Sequence, residues 1–302
     1  MLFSETSLDR RAEARDDPDW VAAARADAGT RWLIGTPGAQ LVWSGASTDI
    51  AFLDGSHALV AAAAESSLTL LGWFRGARCV LVELQEPAPA EPLPPGTEFR
   101  ELRPLAPLLS PDSATLLAYA RALGLWRSRH RFCGVCGAPN VPARAGHVMR
   151  CSRDGCGHET FPRLDPAIIV LVTSADGERA LLGRQASWPA GRYSTIAGFV
   201  EPGESLEEAV IREVEEETGV RAGDVRYDSS QPWPFPSSLM LGFHAVASTH
   251  EITLRDGELE DARWFSRADI AAGHPALPPP GAISARLIDG WFGGESLPPR
   301  RW

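Results

Sequence analysis

Glu213, Glu216 and Glu217 are the residues of this chain best placed to do chemistry. They lie in Ser205-Leu-Glu-Glu-Ala-Val-Ile-Arg-Glu-Val-Glu-Glu-Glu-Thr-Gly219. Ser205 followed three residues later by Glu208 forms a capping-box pattern, and Gly219 is a natural helix stop. The spacing therefore predicts a helix. At about 100° per residue, with Leu206 at zero, Val210 and Val214 extend an apolar stripe to about 80°, and Ala209 falls near 300°. Glu213 falls near 340°, Glu217 near 20° and Glu216 near 280°, so all three share that stripe. Glu208 and Glu215 fall on the far side, where an ordinary solvated acidic face explains them, and Glu207 sits at the edge. Carboxylates gathered on a partly buried face repel one another and lose hydration. A hard divalent cation such as Mg²⁺ or Mn²⁺ offsets both costs, and it usually keeps waters and phosphates in its shell. It would polarise a phosphoryl oxygen and lower the pKa of a bound water. A remaining carboxylate would take that water's proton.

Cys133-x2-Cys136 and Cys151-x4-Cys156 form a second constellation. Two pairs of thiolates at this spacing suit tetrahedral Zn²⁺, and glycines in CGVCG and GCGHE suit tight knuckles. Four sulfur ligands leave no position open for substrate, which makes the site structural. His147 and His158 are close enough in sequence to be alternative ligands. Cys79 stands alone in the apolar run CVLVELQ and reads as a buried strand residue.

The third segment is Ser230-Gln-Pro-Trp-Pro-Phe-Pro-Ser-Ser238. Gln231, Trp233 and Phe235 each precede a proline and are held extended. A β-like backbone would project Trp233 and Phe235 to one side; a polyproline II backbone would not. Either is rigid before a ligand arrives, and two preset aromatics suit a flat heteroaromatic ring. A proline-rich loop packed on a core is the competing reading.

The segment from Gly198 to Val220 resembles the Nudix box at every defining position: Gly, five residues, Glu204, seven residues, then Arg-Glu-apolar-x-Glu-Glu-x-Gly-apolar. Nudix enzymes hydrolyse a nucleoside diphosphate linked to another group. The resemblance implies Glu213 and Glu217 as metal ligands and Glu216 as a further ligand or water-activating carboxylate. It implies that Arg212 orients Glu213 and that the Ala197 backbone carbonyl meets a metal. The SQPWPFP segment is similar to the one that marks NADH pyrophosphatases within this family. That implies that Gln231, Pro232, Trp233, Pro234, Phe235, Pro236, Ser237 and Ser238 line a dinucleotide site. By the same resemblance Phe161 and Ser284 are substrate-lining, and Glu258 is a distal metal ligand, though an exposed loop carboxylate would look the same in sequence. Where Phe161 stands the family can carry Tyr, so a hydroxyl is absent here. The second cysteine knuckle is longer than the family's usual x2. The implied reaction is NADH or NAD⁺ plus water giving NMNH or NMN plus AMP. Some relatives also take the NAD cap off RNA 5′ ends, and the family forms homodimers.

Behind these motifs stand 302 residues carrying a net charge of -10, with 44% hydrophobic residues. That charge argues against a surface that coats nucleic acid. All basic residues are Arg, which removes any Lys nucleophile from consideration. No long apolar run or signal-like N-terminus is seen, so no membrane association and a cytoplasmic location are expected. Apolar runs from Trp32 to Leu84 (RWLIG, QLVWSG, DIAFLDG, ALVAAAA, SLTLLGWF and CVLVEL) read as strands. Residues 1–30 read as loosely ordered or peripheral, and 86–96 read as a proline-rich loop or linker. Ser110-Pro-Asp starts a helix that ends at Gly124 or continues to about Arg127. AIIVLVT and ALLGR read as neighbouring strands. The expected architecture is α/β: a Nudix α/β/α sandwich on a mixed sheet (164–302), preceded by a zinc ribbon (129–163) and an N-terminal α/β domain (1–128). Two other readings stand beside it. One is a Nudix enzyme for another dinucleotide or a nucleotide sugar, against which QPWPFP argues. The other is a zinc-ribbon nucleic-acid binder with an inactive Nudix domain, against which the complete REVEEE run argues.

Overall fold

The computed structural model describes residues 1–4, 8–44, 48–84, 93–255 and 257–293. Residues 86–92 of the expected linker and the last nine residues of the expected C-terminal domain lie outside them. The chain divides into two units. One holds Leu2–Arg163 together with Pro234–Ser237; the other holds Met1, Leu164–Trp233 and Ser238–Trp302. Among the described residues no helix is long and apolar enough to cross a membrane.

The first unit carries a sheet of seven strands: β1 (Leu8–Asp9), β2 (Arg31–Gly35), β3 (Gln40–Trp43), β4 (Phe52–Leu53), β5 (Leu68–Phe74), β6 (Ala77–Glu83) and β7 (Thr97–Arg100). Its order is β1-β5-β6-β2-β3-β7, with β4 also on β2 and β2 parallel to β6. Cys79 is fully buried in β6. Two expectations fail here. ALVAAAA is no strand: Ala58–Ala61 form one helical turn, capped by His57 Nδ1, which accepts from the Leu59 amide at 3.2 Å. Alanine favours a helix, and β-branched residues that would favour a strand are nearly absent there. Nor is the N-terminus merely peripheral, because Trp20–Ala26 form a helix that buries Val21 and Ala24.

The helix from Pro111 runs unbroken through Gly124 to Arg129, two residues beyond the longer of the two expected ends. The ribbon follows as β8 (Asn140–Ala143), β9 (Val148–Cys151) and β10 (Glu159–Thr160), an antiparallel sheet.

In the second unit, β11 (Asp165–Thr173), β12 (Arg179–Arg184), β13 (Ile196–Phe199), β14 (Ala222–Trp233), β15 (Ser238–Ala247) and β16 (Asp261–Ser266) form a mixed sheet of order β14-β15-β11-β12-β16, with β13 on β11. Only the β11–β15 pair is parallel. Successive side chains of a strand point to opposite faces, and β11 shows what that does. Ile168, Val170 and Val172 pack under the acidic helix Leu206–Thr218, while Ile169 and Leu171 pack under the C-terminal helix Ile283–Phe292. This is the α/β/α sandwich expected from the sequence.

Candidate active site and metal centre

The acidic helix begins as its sequence predicts. The Ser205 hydroxyl accepts from the Glu208 amide at 3.2 Å, and the Glu208 carboxylate accepts from the Ser205 amide at 2.8 Å. Gly219 ends it at φ 71°, its amide donating to the Glu215 carbonyl at 2.8 Å. Only glycine takes such a φ without strain. Between these caps Val210 and Val214 are fully buried, and the same face carries Glu213 (9% exposed) and Glu217 (3%) inward. Glu216 lies at the stripe's edge with its side chain 53% exposed. Two of the three carboxylates are thus buried, and the third reaches solvent.

Arg212 ties the group together. Its Nε and Nη2 donate to the two oxygens of Glu204 at 2.8 and 3.0 Å, a bidentate pair. Nη1 donates to Glu213 Oε1 and Glu216 Oε2, both at 2.9 Å, and Nη2 also donates to the Phe199 carbonyl at 2.9 Å. These bonds raise the Arg212 pKa, that to Glu204 most, and lower that of Glu204. Glu204 received no role from sequence. Its signal was present as the box's own glutamate, eight residues before Arg212.

Glu213 titrates above the ordinary carboxylate range because burial penalises its charge. Arg212 opposes that rise, while the charges of Glu216 and Glu258 add to it. Glu258, on an exposed loop, therefore brings its field to the same carboxylate as the helix. The glutamate is seated against bare backbone: a Cβ at Gly198 would lie 1.9 Å from Glu213 Cδ. Gly198 pairs with Ile168, and Ala197, whose carbonyl was expected at a metal, pairs with Ile169. The site fits a divalent cation: several oxygen donors, one guanidinium among them, and a buried carboxylate whose charge is under-compensated.

Gln231 and Ser284 are engaged by their own unit. Gln231 is fully buried; its Nε2 donates to the Gly281 carbonyl and its Oε1 accepts from the Ile283 amide, both at 2.8 Å. It thereby holds the start of the C-terminal helix. The Ser284 hydroxyl, 5% exposed, bonds the hydroxyls of Ser194 at 2.9 Å and Thr195 at 2.8 Å. The proline segment is β-like as far as Trp233, which pairs with Ser238, and Pro232 pairs with Leu239. As β14 is an edge strand, a residue without an amide is tolerated there. The chain then turns over residues 234–237, so Phe235 is placed by a turn and neither backbone alternative applies to it. Phe235 lies edge-on to Phe3, ring centres 6.0 Å apart, with the Arg121 guanidinium 5.4 Å from its centre. Phe161 is 59% exposed.

In the ribbon, all four Sγ atoms of Cys133, Cys136, Cys151 and Cys156 lie within 4.8 Å of one another. The Val135 amide donates to Cys133 Sγ and the Arg153 amide to Cys151 Sγ, each at 3.4 Å, which favours thiolates. The longer second knuckle thus closes on the same point as the first. His147 is directed elsewhere: its Nε2 meets the Leu70 carbonyl at 2.8 Å, and burial pushes its pKa down to about 4.

This helix, sheet and carboxylate set define the class, and comparison with known proteins agrees. Residues 163–287 match the NUDIX domain, 128–161 the NADH pyrophosphatase zinc ribbon domain, and 29–126 the NADH pyrophosphatase-like rudimentary NUDIX domain. The chain belongs to the Nudix hydrolase family, in its NADH pyrophosphatase branch. It is 47% identical to the NAD-capped RNA hydrolase NudC of Stutzerimonas stutzeri over 72% of this chain and 75% of that one. It is 35% identical to the NAD-capped RNA hydrolase NUDT12 of Macaca fascicularis over 96% of this chain and 73% of that one.

Proposed function

We propose that this protein hydrolyses the diphosphate bond of NADH and NAD⁺, giving NMNH or NMN plus AMP, and removes the NAD cap from RNA 5′ ends by the same reaction. The observation that carries the reading is the set of carboxylates assembled by Arg212, with Glu213 buried against Gly198. The relatives' names supply the substrate class. Glu213, Glu216, Glu217, Glu258 and the Ala197 carbonyl would hold Mg²⁺ or Mn²⁺. When bound, the cations screen the diphosphate and acidify a bound water. Arg212 keeps Glu213 and Glu216 in place and itself stays charged. A carboxylate of this set takes the proton of the attacking water. The new bond forms from that water's oxygen to one phosphorus, and the bond from that phosphorus to the bridging oxygen breaks.

Trp233 and Phe235, with Pro232, Pro234, Pro236, Ser237, Ser238 and Phe161, contact the dinucleotide, while Gln231 and Ser284 act by fixing the backbone around it. The chain comprises an N-terminal domain (1–128), a ribbon (129–163) holding one Zn²⁺ on its four cysteines, and a Nudix domain (164–302). It works as a cytoplasmic homodimer. Exposed Phe132, Val135 and Phe161 on the ribbon's unit support a subunit contact, which sedimentation would test.

The test is product analysis with NADH, NAD⁺, NAD-capped RNA, ADP-ribose and a nucleotide sugar, with Mg²⁺ or Mn²⁺ and a Glu217→Gln control. AMP and NMNH from NADH, absent in the control, is the expected result. Cleavage confined to ADP-ribose or the sugar would replace the substrate assignment. Inertness toward all of them would sink the enzymatic reading.

A further inference from the structure

Glu258 differs from the other carboxylates of the site in what carries it. Glu213, Glu216 and Glu217 ride on a helix, whereas Glu258 is an exposed residue of a loop. A loop carboxylate ordinarily samples many positions, and ordering it against a cation costs entropy. The three residues that follow Glu258 remove much of that freedom, each in a different way. Leu259 is 8% exposed and enters the core that Val210 and Val214 form under the acidic helix. It sits against bare backbone, since a Cβ at Gly183 would lie 2.7 Å from Leu259 Cδ1. The Glu260 amide donates to the Arg184 carbonyl at 2.9 Å, and the Glu260 carboxylate pairs with the Arg184 guanidinium. That guanidinium is itself held, Nη2 donating to the Trp188 carbonyl at 3.0 Å. Asp261 Oδ2 accepts from the Tyr193 hydroxyl and lies 2.6 Å from Arg263 Nε.

Tyr193 is a fixed point from which to hold an acid. It is 6% exposed, its ring lies edge-on to Phe265 at 5.0 Å, and its amide donates to the Ala276 carbonyl at 3.0 Å. Strand pairing does not require its hydroxyl, because β12 and β16 are already in register from Arg179 opposite Ser266 to Arg184 opposite Asp261. The side-chain links also sort three neighbouring acids. Glu260 and Asp261 are engaged by Arg184, Tyr193 and Arg263, while the charge of Glu258 reaches Glu213. The acid turned toward the carboxylate set is thus the one these links leave out.

We propose that Tyr193 and Arg184 are positioning residues: by holding Asp261 and Glu260 they fix the loop so that the Glu258 carboxylate is presented to the divalent cations. This rests on the reading of Glu258 as a metal ligand. Partners that orient a ligand ordinarily matter about tenfold or more to metal affinity.

The test is a Mn²⁺ titration of the full-length, substrate-free protein, with free Mn²⁺ read by electron paramagnetic resonance. Tyr193→Phe keeps the ring against Phe265 and removes only the hydroxyl. It should weaken Mn²⁺ binding about tenfold, and Arg184→Met should act in the same direction. In a Glu258→Gln background, itself weakened at least as much, Tyr193→Phe should have no further effect, which a general loss of stability would not reproduce. Without metal, the Glu260 amide should exchange its hydrogen faster in Tyr193→Phe than in the parent. Weaker binding in Glu258→Gln with unchanged binding in Tyr193→Phe would overturn the proposal alone. So would the same loss from Tyr193→Phe whether or not Glu258 is present. Unchanged binding in Glu258→Gln would remove the ligand reading and the proposal together.

Discussion

Glu213 and Glu83 invite comparison, because each is a glutamate beside an arginine and above a glycine, the first buried and the second half-buried, in different units of the chain. A Cβ at Gly198 would meet Glu213 at 1.9 Å; one at Gly124 would meet Glu83 Oε1 at 3.0 Å. Burial raises the pKa of both acids. The surroundings differ in charge balance. Arg212 is shared among Glu204, Glu213 and Glu216, and Glu258 adds to the negative field. Among the described residues Arg127 pairs with one carboxylate, that of Glu83. An acid that outnumbers the cations beside it is left with uncompensated charge, whereas a matched pair is not.

The largest effect that would sharpen this contrast is at Glu213. Glu213→Gln should lower turnover of NADH about a thousandfold, equivalent to about 4 kcal/mol, by loss of a metal-holding carboxylate. Without divalent cations the same variant should melt higher than the parent protein, because it removes an under-compensated buried charge. Mg²⁺ should raise the melting temperature of the parent and not of the variant. A variant that melted lower under both conditions would remove the electrostatic argument. Gly198→Ala should mimic the activity loss, since Glu213 must vacate its seat.

Next in size is a pH effect at Glu83. Its folded pKa of about 7 lies above the ordinary 4.5, so the folded state holds the proton more tightly. The resulting stability is fully present below 4.5 and is lost as pH rises through 7. Glu83→Gln does not titrate. Urea unfolding should therefore show the parent losing on the order of 3 kcal/mol relative to this variant between those limits. A flat difference across the window would mean that Arg127 compensates Glu83 fully.

These two sites were not equally legible. The Glu213 set could be read because caps and a 3.6-residue period place side chains on a helix without knowledge of the rest of the fold. The four cysteines likewise announce themselves by spacing. Even there, Arg212 was assigned to Glu213 alone, while Glu204, its bidentate partner, went without a role. Glu83 and Arg127 are far apart in sequence, carry no motif and meet only through packing of β6 on a helix, so nothing local announces them. Gln231 shows the same limit: a segment read for its aromatics turns out to spend its first amide on the Gly281–Ile283 backbone. Phe235 was read as part of an extended run, yet the strand stops one residue after Pro232.

Gly124 joins the two themes and yields the smallest effect. As a possible helix stop it was ambiguous, since glycine inside a helix costs about 1 kcal/mol relative to alanine. The helix passes straight through it, and a methyl group there would crowd the carboxylate of Glu83, whose Oε1 would lie 3.0 Å away. Gly124→Ala should therefore change stability by less than about 0.5 kcal/mol, the helical gain being offset by crowding against an ion-paired side chain. In a Glu83→Ala background the crowding is gone, and the same substitution should stabilise by about 1 kcal/mol. A double-mutant cycle by urea unfolding measures this coupling directly. Strict additivity would mean that Glu83 does not select the glycine, and the parallel with Gly198 would then end at geometry.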